Sequence, residues 1–200
     1  MPSRQKLIFA IVVLLIAMVT GAGALWLTRV GPGGSGEALI GGPFALTDQN
    51  GKRVTDQDFR GKYMLIFFGF TYCPDVCPSE LQVMTAALDQ LGPAGDKIQP
   101  VFITIDPERD TPDAMKLYVA NFHPRMVGLT GSPDDIAAVA KAYRVYYAKA
   151  KASEGAAPGD YLMDHSTILY LMGPDGRFVK HFTYGTDVKT LTDGLRGVVQ

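Results

Sequence analysis

Cysteine is scarce: Cys73 and Cys77 are the only two in 200 residues. That excludes a disulfide-framework protein, a four-cysteine zinc finger and an iron–sulfur cluster held by this chain's cysteines alone. A basic excess is missing too. There are 19 Lys+Arg against 20 Asp+Glu, and setting aside Arg4, Lys6 and Arg29 leaves 16 against 20. No basic face is implied that could neutralise a run of phosphates, so nucleic acid is not an expected partner. The marks of disorder are absent as well, because 47% of residues are hydrophobic and only 20% charged. The length suits one domain with small appendages, with a core that needs no disulfide staples. No internal repeat is visible.

What is present begins with 21 uncharged positions, Leu7 to Leu27. As a helix they would span about 31 Å, close to the ~30 Å hydrocarbon core of a bilayer. Arg4 and Lys6 precede the run, and little charge follows it beyond Arg29. The positive-inside rule puts residues 1–6 in the cytoplasm and the large C-terminal part across the membrane. Ala22-Gly23-Ala24 would also serve as a cleavage site, with residues 7–20 as the apolar part of a signal peptide. The run continues through Leu25, Trp26 and Leu27, which favours an uncleaved anchor over residues 7–27. Neither reading matches an Arg- and Ser-rich mitochondrial presequence, so a single-pass protein of the bacterial inner membrane is the simplest expectation. Its folded domain would lie in the periplasm, where thiols meet an oxidising environment.

Residues 28–42 read as a linker, with VGPGGSG from Val30 to Gly36 at its heart. Residues 43–200 read as one domain. Phe44–Thr47 and Lys52–Val54 flank Asn50-Gly51 and suggest a hairpin. Asp56–Phe59 suggests a helical turn. Tyr63–Phe70 and Ile98–Ile105 are apolar runs of strand length, buried on both faces. Between them Leu81, Met84, Leu88 and Leu91 make a helical stripe, with Pro78 suited to the first helical position and Gly92-Pro93 as a stop. Thr111-Pro112 and Ser132-Pro133 open two more helices. Their stripes are Met115, Tyr118, Val119, Phe122 and Ile136, Val139, Ala140, Tyr143. Val127–Thr130 reads as a short strand. Val145–Tyr147 and Tyr161–Met163 flank an Ala/Gly/Lys-rich insertion, Lys149–Asp160. Thr167–Met172 and Arg177–Tyr184 form a hairpin about Pro174-Asp175-Gly176, and Val188, Leu191, Leu195 and Val198 line a closing helix. The early alternation predicts parallel βαβ units and the late hairpin predicts antiparallel strands on the same sheet. The expected architecture is therefore α/β and thioredoxin-like: a central mixed sheet of about five strands flanked by three or four helices.

Chemistry centres on the cysteines. Positions i and i+4 share a helix face, so two sulfurs could converge on one ion or form a disulfide. The position at a helix start favours thiolate. A purely structural bridge over so small a loop would add little stability. A metal role needs a third group, and His165, in Met163-Asp164-His165-Ser166-Thr167, is the candidate. Asp164 could orient its ring. His123 and His181 read as structural residues. Two thiolates with one imidazole form a soft set that suits Cu(I) and also holds Cu(II). The eight methionines are scattered over apolar stripes and read as core filling. Asp106 to Pro112 reads either as ordinary helix capping or as a loop that meets a partner or tunes the metal.

Three separated motifs resemble the Sco/SenC family: Gly69-Phe70-Thr71-Tyr72-Cys73-Pro74-Asp75-Val76-Cys77-Pro78, then Asp106-Pro107-Glu108-Arg109-Asp110-Thr111-Pro112, then Asp164-His165-Ser166-Thr167. Tyr72 stands where that family often has histidine. The resemblance implies a membrane-anchored, thioredoxin-like copper chaperone with Cys73, Cys77 and His165 as copper ligands. It implies delivery of copper to the CuA-bearing subunit of cytochrome c oxidase, alongside other periplasmic copper chaperones and thiol reductants. A thiol–disulfide oxidoreductase that reduces the cysteines of the CuA site through the Cys73–Cys77 pair stays open beside it. A peroxidase would explain one cysteine after a core strand, but not the second cysteine together with His165.

Overall fold

The computed structural model describes residues 40–150 and 161–199, with isolated positions 4, 8, 14 and 18 nearer the N-terminus. The expected anchor over 7–27, most of the linker over 28–42 and residues 151–160 of the insertion lie outside the described residues. Among the described residues no helix is long and apolar enough to cross a membrane. The chain divides between Ala38 and Leu39, and the second unit carries every element named below.

The longest apolar runs become the centre of the sheet. Strand β3 (Tyr63–Gly69) is buried from Met64 onward, and β4 (Ile98–Thr104) lies parallel to it with Tyr63 opposite Ile98 and Gly69 opposite Thr104. With both faces covered, neither strand has room for the polar alternation of a half-exposed one. Helix α1 (Val76–Leu91) makes the crossover and buries Cys77, Leu81, Met84, Leu88 and Leu91. Helix α2 (Pro112–Val119) leads to β5 (Val127–Thr130), parallel to β4. Both α2 and α3 (Pro133–Ala142) start as their sequences demand. Thr111 Oγ1 accepts from the Ala114 amide, Ser132 Oγ from the Asp135 amide, and a proline follows each cap. Phe122 and Tyr143 fall just past their helix ends but stay packed, against Tyr118 and Phe68 respectively.

The sheet is wider than the sequence suggests. The hairpin β1 (Ala45–Asp48) and β2 (Arg53–Thr55) adds to the free edge of β5, with Thr47 opposite Thr130. The hairpin β8 (Ile168–Met172) and β9 (Phe178–Thr183) adds antiparallel to β3. The order is β2-β1-β5-β4-β3-β8-β9, seven strands rather than about five. Helix α4 (Val188–Val199) closes the chain, burying Leu191, Leu195 and Val199. The insertion is flanked by a separate two-stranded sheet, β6 (Tyr147–Lys149) and β7 (Met163–His165), with Tyr147 opposite His165. His165 therefore ends a strand of its own, two residues later than the strand expected there. Met64, Met84, Met115, Met126, Met163 and Met172 are all buried, as core filling requires.

Candidate metal centre

Strand β3 ends beneath helix α1, and the six residues between them form the cysteine loop. The Cys73 amide donates to the Phe70 carbonyl at 3.2 Å, turning the chain at once. Asp110 braces the turn from below, accepting from the Thr71 amide at 3.0 Å and the Thr71 hydroxyl at 2.5 Å. Helix α1 begins at Val76, not at Pro78 as its sequence suggests, so Cys77 lies inside the first turn. Proline is tolerated at the third position because amides of the first turn have no intrahelical partner. Asp75 supplies no side-chain cap. Instead the free Cys77 amide donates to Cys73 Sγ at 3.3 Å. The cysteine side chain thus does the work of a cap, and the helix start draws charge onto its sulfur.

The two thiols are chemically unlike. Both are free; Cys73 is half-buried and Cys77 fully buried. A hydrogen bond from the Cys77 thiol, helped by backbone amides, pulls the Cys73 thiol down to about 5. The same bond, with burial, pushes the Cys77 thiol up. The pair holds one negative charge, carried on Cys73. Iodoacetamide should therefore alkylate Cys73 in the metal-free protein with a rate that climbs through pH 5 and levels above it. Cys77 should react only on unfolding, and mass spectrometry of quenched samples would show it. Equal labelling of both cysteines at pH 7 would contradict this asymmetry.

His165 meets the pair from the end of β7, across 88 residues of sequence. Its Nε2 stands 3.6 Å from Cys77 Sγ. Its Nδ1 lies 3.0 Å from the Ser166 carbonyl oxygen, which can only accept, so Nδ1 carries a hydrogen, and in the neutral ring the Nε2 lone pair faces the sulfur. The orienting group is thus this carbonyl and not Asp164, which is exposed. Phe67 and Phe70 hold the ring edge-on, each with centroids 6.1 Å away. A pocket of about 270 Å³ opens beside Cys73, Pro74, Leu162 and His165.

This donor set fits a soft metal. The 3.6 Å separation of Cys77 Sγ and His165 Nε2 is short enough for one ion to bond both. Among the described residues no group of three His, Cys, Asp or Glu side chains already stands at metal-holding distances. The assembled part is the Cys77–His165 pair, and Cys73 is one hydrogen bond away. The other histidines serve elsewhere. His123 is buried and accepts from the Arg125 amide at 3.2 Å, and burial lowers its pKa; His181 stacks on Phe178 within β9.

Gly69 is the point of closest approach behind the site. A Cβ there would meet Cys77 Sγ and Phe102 Cε2 at 2.9 Å and Phe67 Cε1 at 3.2 Å. Gly69→Ala should cost about 1–3 kcal/mol of stability through overpacking, read as a lower urea midpoint. A midpoint equal to wild type would show that the site has slack the packing does not suggest.

Several residues around the site were not singled out by sequence. Phe67 and Phe70 look like ordinary strand residues. Asp110, Arg109 and Tyr161 carry no spacing that marks them, although Asp110 and Arg109 fall in the 106–112 stretch read as a possible loop near the metal.

A thioredoxin-like sheet that presents two free cysteines at a helix start, with an imidazole nitrogen facing one of them, defines a thiol-based metal or redox protein. The chain belongs to the SCO1/SenC family, whose model matches residues 32–200. It is 49% identical over 162 residues to the mitochondrial SCO1 homolog 1 of Arabidopsis thaliana, covering 80% of this chain and 47% of that protein. The chain spans about half the length of the curated relatives it matches first. Its fold superimposes on Arabidopsis thaliana ScoI with copper bound, at TM-score 0.74 and 48% identity, covering 80% of this chain and 98% of that one. It is also similar to BsSco, described as a cytochrome c oxidase assembly protein with a disulfide switch. That match has TM-score 0.62 and 26% identity over 80% of this chain and 94% of that one.

Proposed function

We propose that this chain is a membrane-anchored copper chaperone that holds copper through Cys73, Cys77 and His165 and delivers it to the CuA centre of cytochrome c oxidase. The observation that carries the reading is the Nε2 of His165, aimed at Cys77 Sγ from 3.6 Å while the Ser166 carbonyl engages Nδ1–H. Copper is the cargo. Two sulfurs suit Cu(I), and the imidazole extends the set to Cu(II). A copper-bound relative of 48% identity supports the choice of metal. Cys73 lies on the pocket wall while Cys77 is fully buried. An incoming ligand from the acceptor would therefore meet copper on the Cys73–His165 side, and Cys77 would release last.

In this reading residues 7–27 anchor the chain in the bacterial inner membrane through lipid contact. Residues 43–200 then face the periplasm, where the CuA-bearing subunit, other copper chaperones and thiol reductants are the partners. The reading is tested by copper titration of the reduced chain, followed by transfer to an apo CuA domain. One copper bound per chain and its appearance in the acceptor are expected; copper kept by the donor in the presence of excess reduced acceptor would defeat delivery.

The asymmetry of the thiols favours one second reading, a thiol–disulfide oxidoreductase acting on the CuA-site cysteines. The Cys73 thiolate would attack the target disulfide, forming a mixed disulfide and releasing one target thiolate. Cys77 would then lose its proton and attack Cys73 Sγ, leaving a Cys73–Cys77 disulfide and a target reduced by two electrons. A thiol reductant would restore the pair. Reduction of the oxidised target at full rate by His165→Ala would favour this route over copper delivery.

A further inference from the structure

Hairpin β6–β7 pairs only with itself and makes no ladder with the seven-stranded sheet. Its own register does not fix where His165 stands relative to the cysteine loop; Ser166 and Thr167 tie it to β8, which pairs with β3. Side chains set the rest of its position, and one arginine reaches both segments. The Arg109 guanidinium lies 4.5 Å from the centroid of the Tyr72 ring, beside Cys73, and 3.7 Å from that of the Tyr161 ring, two residues before β7. Its Nη1 donates to the Tyr161 carbonyl at 2.9 Å and its Nε to Asp106 Oδ2 at 2.5 Å. The Tyr161 hydroxyl closes the circuit on Asp106 Oδ1 at 2.7 Å, and Asp106 is itself buried. Nη2 is buried with no acceptor. The two ring faces and the Tyr161 carbonyl, besides Asp106, hold the guanidinium in place. The neighbouring Lys149–Glu108 pair, at 2.7 Å, is exposed and adds a weaker tie from β6 to the same loop.

We infer that Arg109 is a positioning residue: lying over the rings of both Tyr72 and Tyr161, it clamps the hairpin that carries His165 to the loop that carries the cysteines, and so helps set the distance at which the ring meets the sulfurs. This rests on the copper-ligand reading above and adds to it the residue that assembles the set. The guanidinium fork matters as much as the charge, since an ammonium can keep the Asp106 contact but cannot also reach the Tyr161 carbonyl and both rings.

The test is Cu(I) affinity of the reduced full chain, measured by competition with a chromogenic chelator. Arg109→Ala, Arg109→Lys and Tyr72→Ala are compared, each in the His165 and the His165→Ala backgrounds. Arg109→Ala should lower affinity about tenfold, the scale on which outer partners act on a metal. Arg109→Lys should recover part of that loss, and Tyr72→Ala should lose less than Arg109→Ala. In the His165→Ala background the Arg109→Ala effect should shrink to about twofold or less, because no ring is left to position. Undiminished loss in both backgrounds, or no loss in the first, overturns the inference. Wild-type affinity in His165→Ala alone would overturn the ligand set as well, a result distinct from either. If Arg109→Ala does not fold, the Tyr72→Ala cycle decides, because that ring is 60% exposed and its loss leaves the core intact. Amide exchange in the metal-free chain gives a second readout. It should quicken in Tyr147–Lys149 and Met163–His165 but not in β3 and β4; a uniform increase would mean lost global stability and no clamp.

Discussion

Cys77→Ser is expected to lower Cu(I) affinity by more than about 100-fold, beyond the roughly 10–100-fold that loss of an outer partner costs a metal site. The sulfur is fully buried, shares its hydrogen bond with Cys73 and faces the His165 lone pair, so no other donor lies ready to replace it. A serine hydroxyl is a hard, shorter donor with little affinity for Cu(I). Cys73→Ser should do comparable damage by removing the charge that the pair carries. His165→Ala should act unevenly. Two thiolates satisfy Cu(I) in part, whereas Cu(II) needs the nitrogen, so its thiolate charge-transfer absorption should vanish while some Cu(I) binding persists. Affinity in the wild-type chain should also rise with pH, because the Cys77 proton must leave as the metal enters. Chelator competition across pH 6–8 and visible absorption would read all of these; a Cys77→Ser chain that binds Cu(I) like wild type would end the assignment.

The elements that the sequence revealed best are those whose burial is one-sided or complete. Tyr63–Phe70 announces a central strand because every position is apolar, and Ile98–Ile105 because only Gln99 and Thr104 interrupt its apolar residues; Thr111-Pro112 and Ser132-Pro133 announce helices because cap and first-turn chemistry is local. Val127–Thr130 was bounded to the residue. What sequence placed poorly depends on contacts between distant segments. The β1–β2 hairpin was legible as a hairpin, but its docking on β5 rests on the Thr47–Thr130 pairing, eighty-odd residues apart. Helix α1 starts two residues before Pro78 because Cys73 Sγ takes the Cys77 amide, and no propensity scale counts a thiol as a cap.

The site divides in the same way. The cysteines are conspicuous by rarity and spacing, and His165 through the motif around it. Its tautomer is not legible, since it depends on the Ser166 carbonyl turning toward Nδ1; Asp164 could orient the ring only if adjacent side chains converged, and on β7 Asp164 is exposed. For Arg109 and Asp110 the sequence left open helix capping before α2 or a loop near the metal; the structure turns them back into the protein, one toward the His165 hairpin and one beneath the cysteine loop.

Asp110 gives the second large effect. It is fully buried, and its carboxylate accepts from the Thr71 amide, the Thr71 hydroxyl and the Thr104 hydroxyl at 3.0, 2.5 and 2.5 Å. Its carbonyl also accepts from Thr130 Oγ1 at 2.7 Å. One residue thus ties the cysteine loop to the ends of β4 and β5. Asp110→Ala should cost about 2–4 kcal/mol, because it strands buried donors and opens a void. Asp110→Asn should cost far less. Its Oδ1 can take the position that faces the Thr71 amide and Thr104 hydroxyl, while its amino group donates to a rotated Thr71 hydroxyl. Burial raises the Asp110 pKa above the ordinary carboxylate value, so between those two values the folded chain holds a proton that the unfolded chain has released. Its titration therefore makes stability fall as pH rises through that window, the reverse of a salt-bridged aspartate. Urea unfolding at pH 4 and pH 7 should show it as a difference: the stability of wild type relative to Asp110→Asn should fall from pH 4 to pH 7, because the other carboxylates titrate alike in both chains. Equal losses in the alanine and asparagine chains would mean that charge, and not the three-donor geometry, holds the cysteine loop in place.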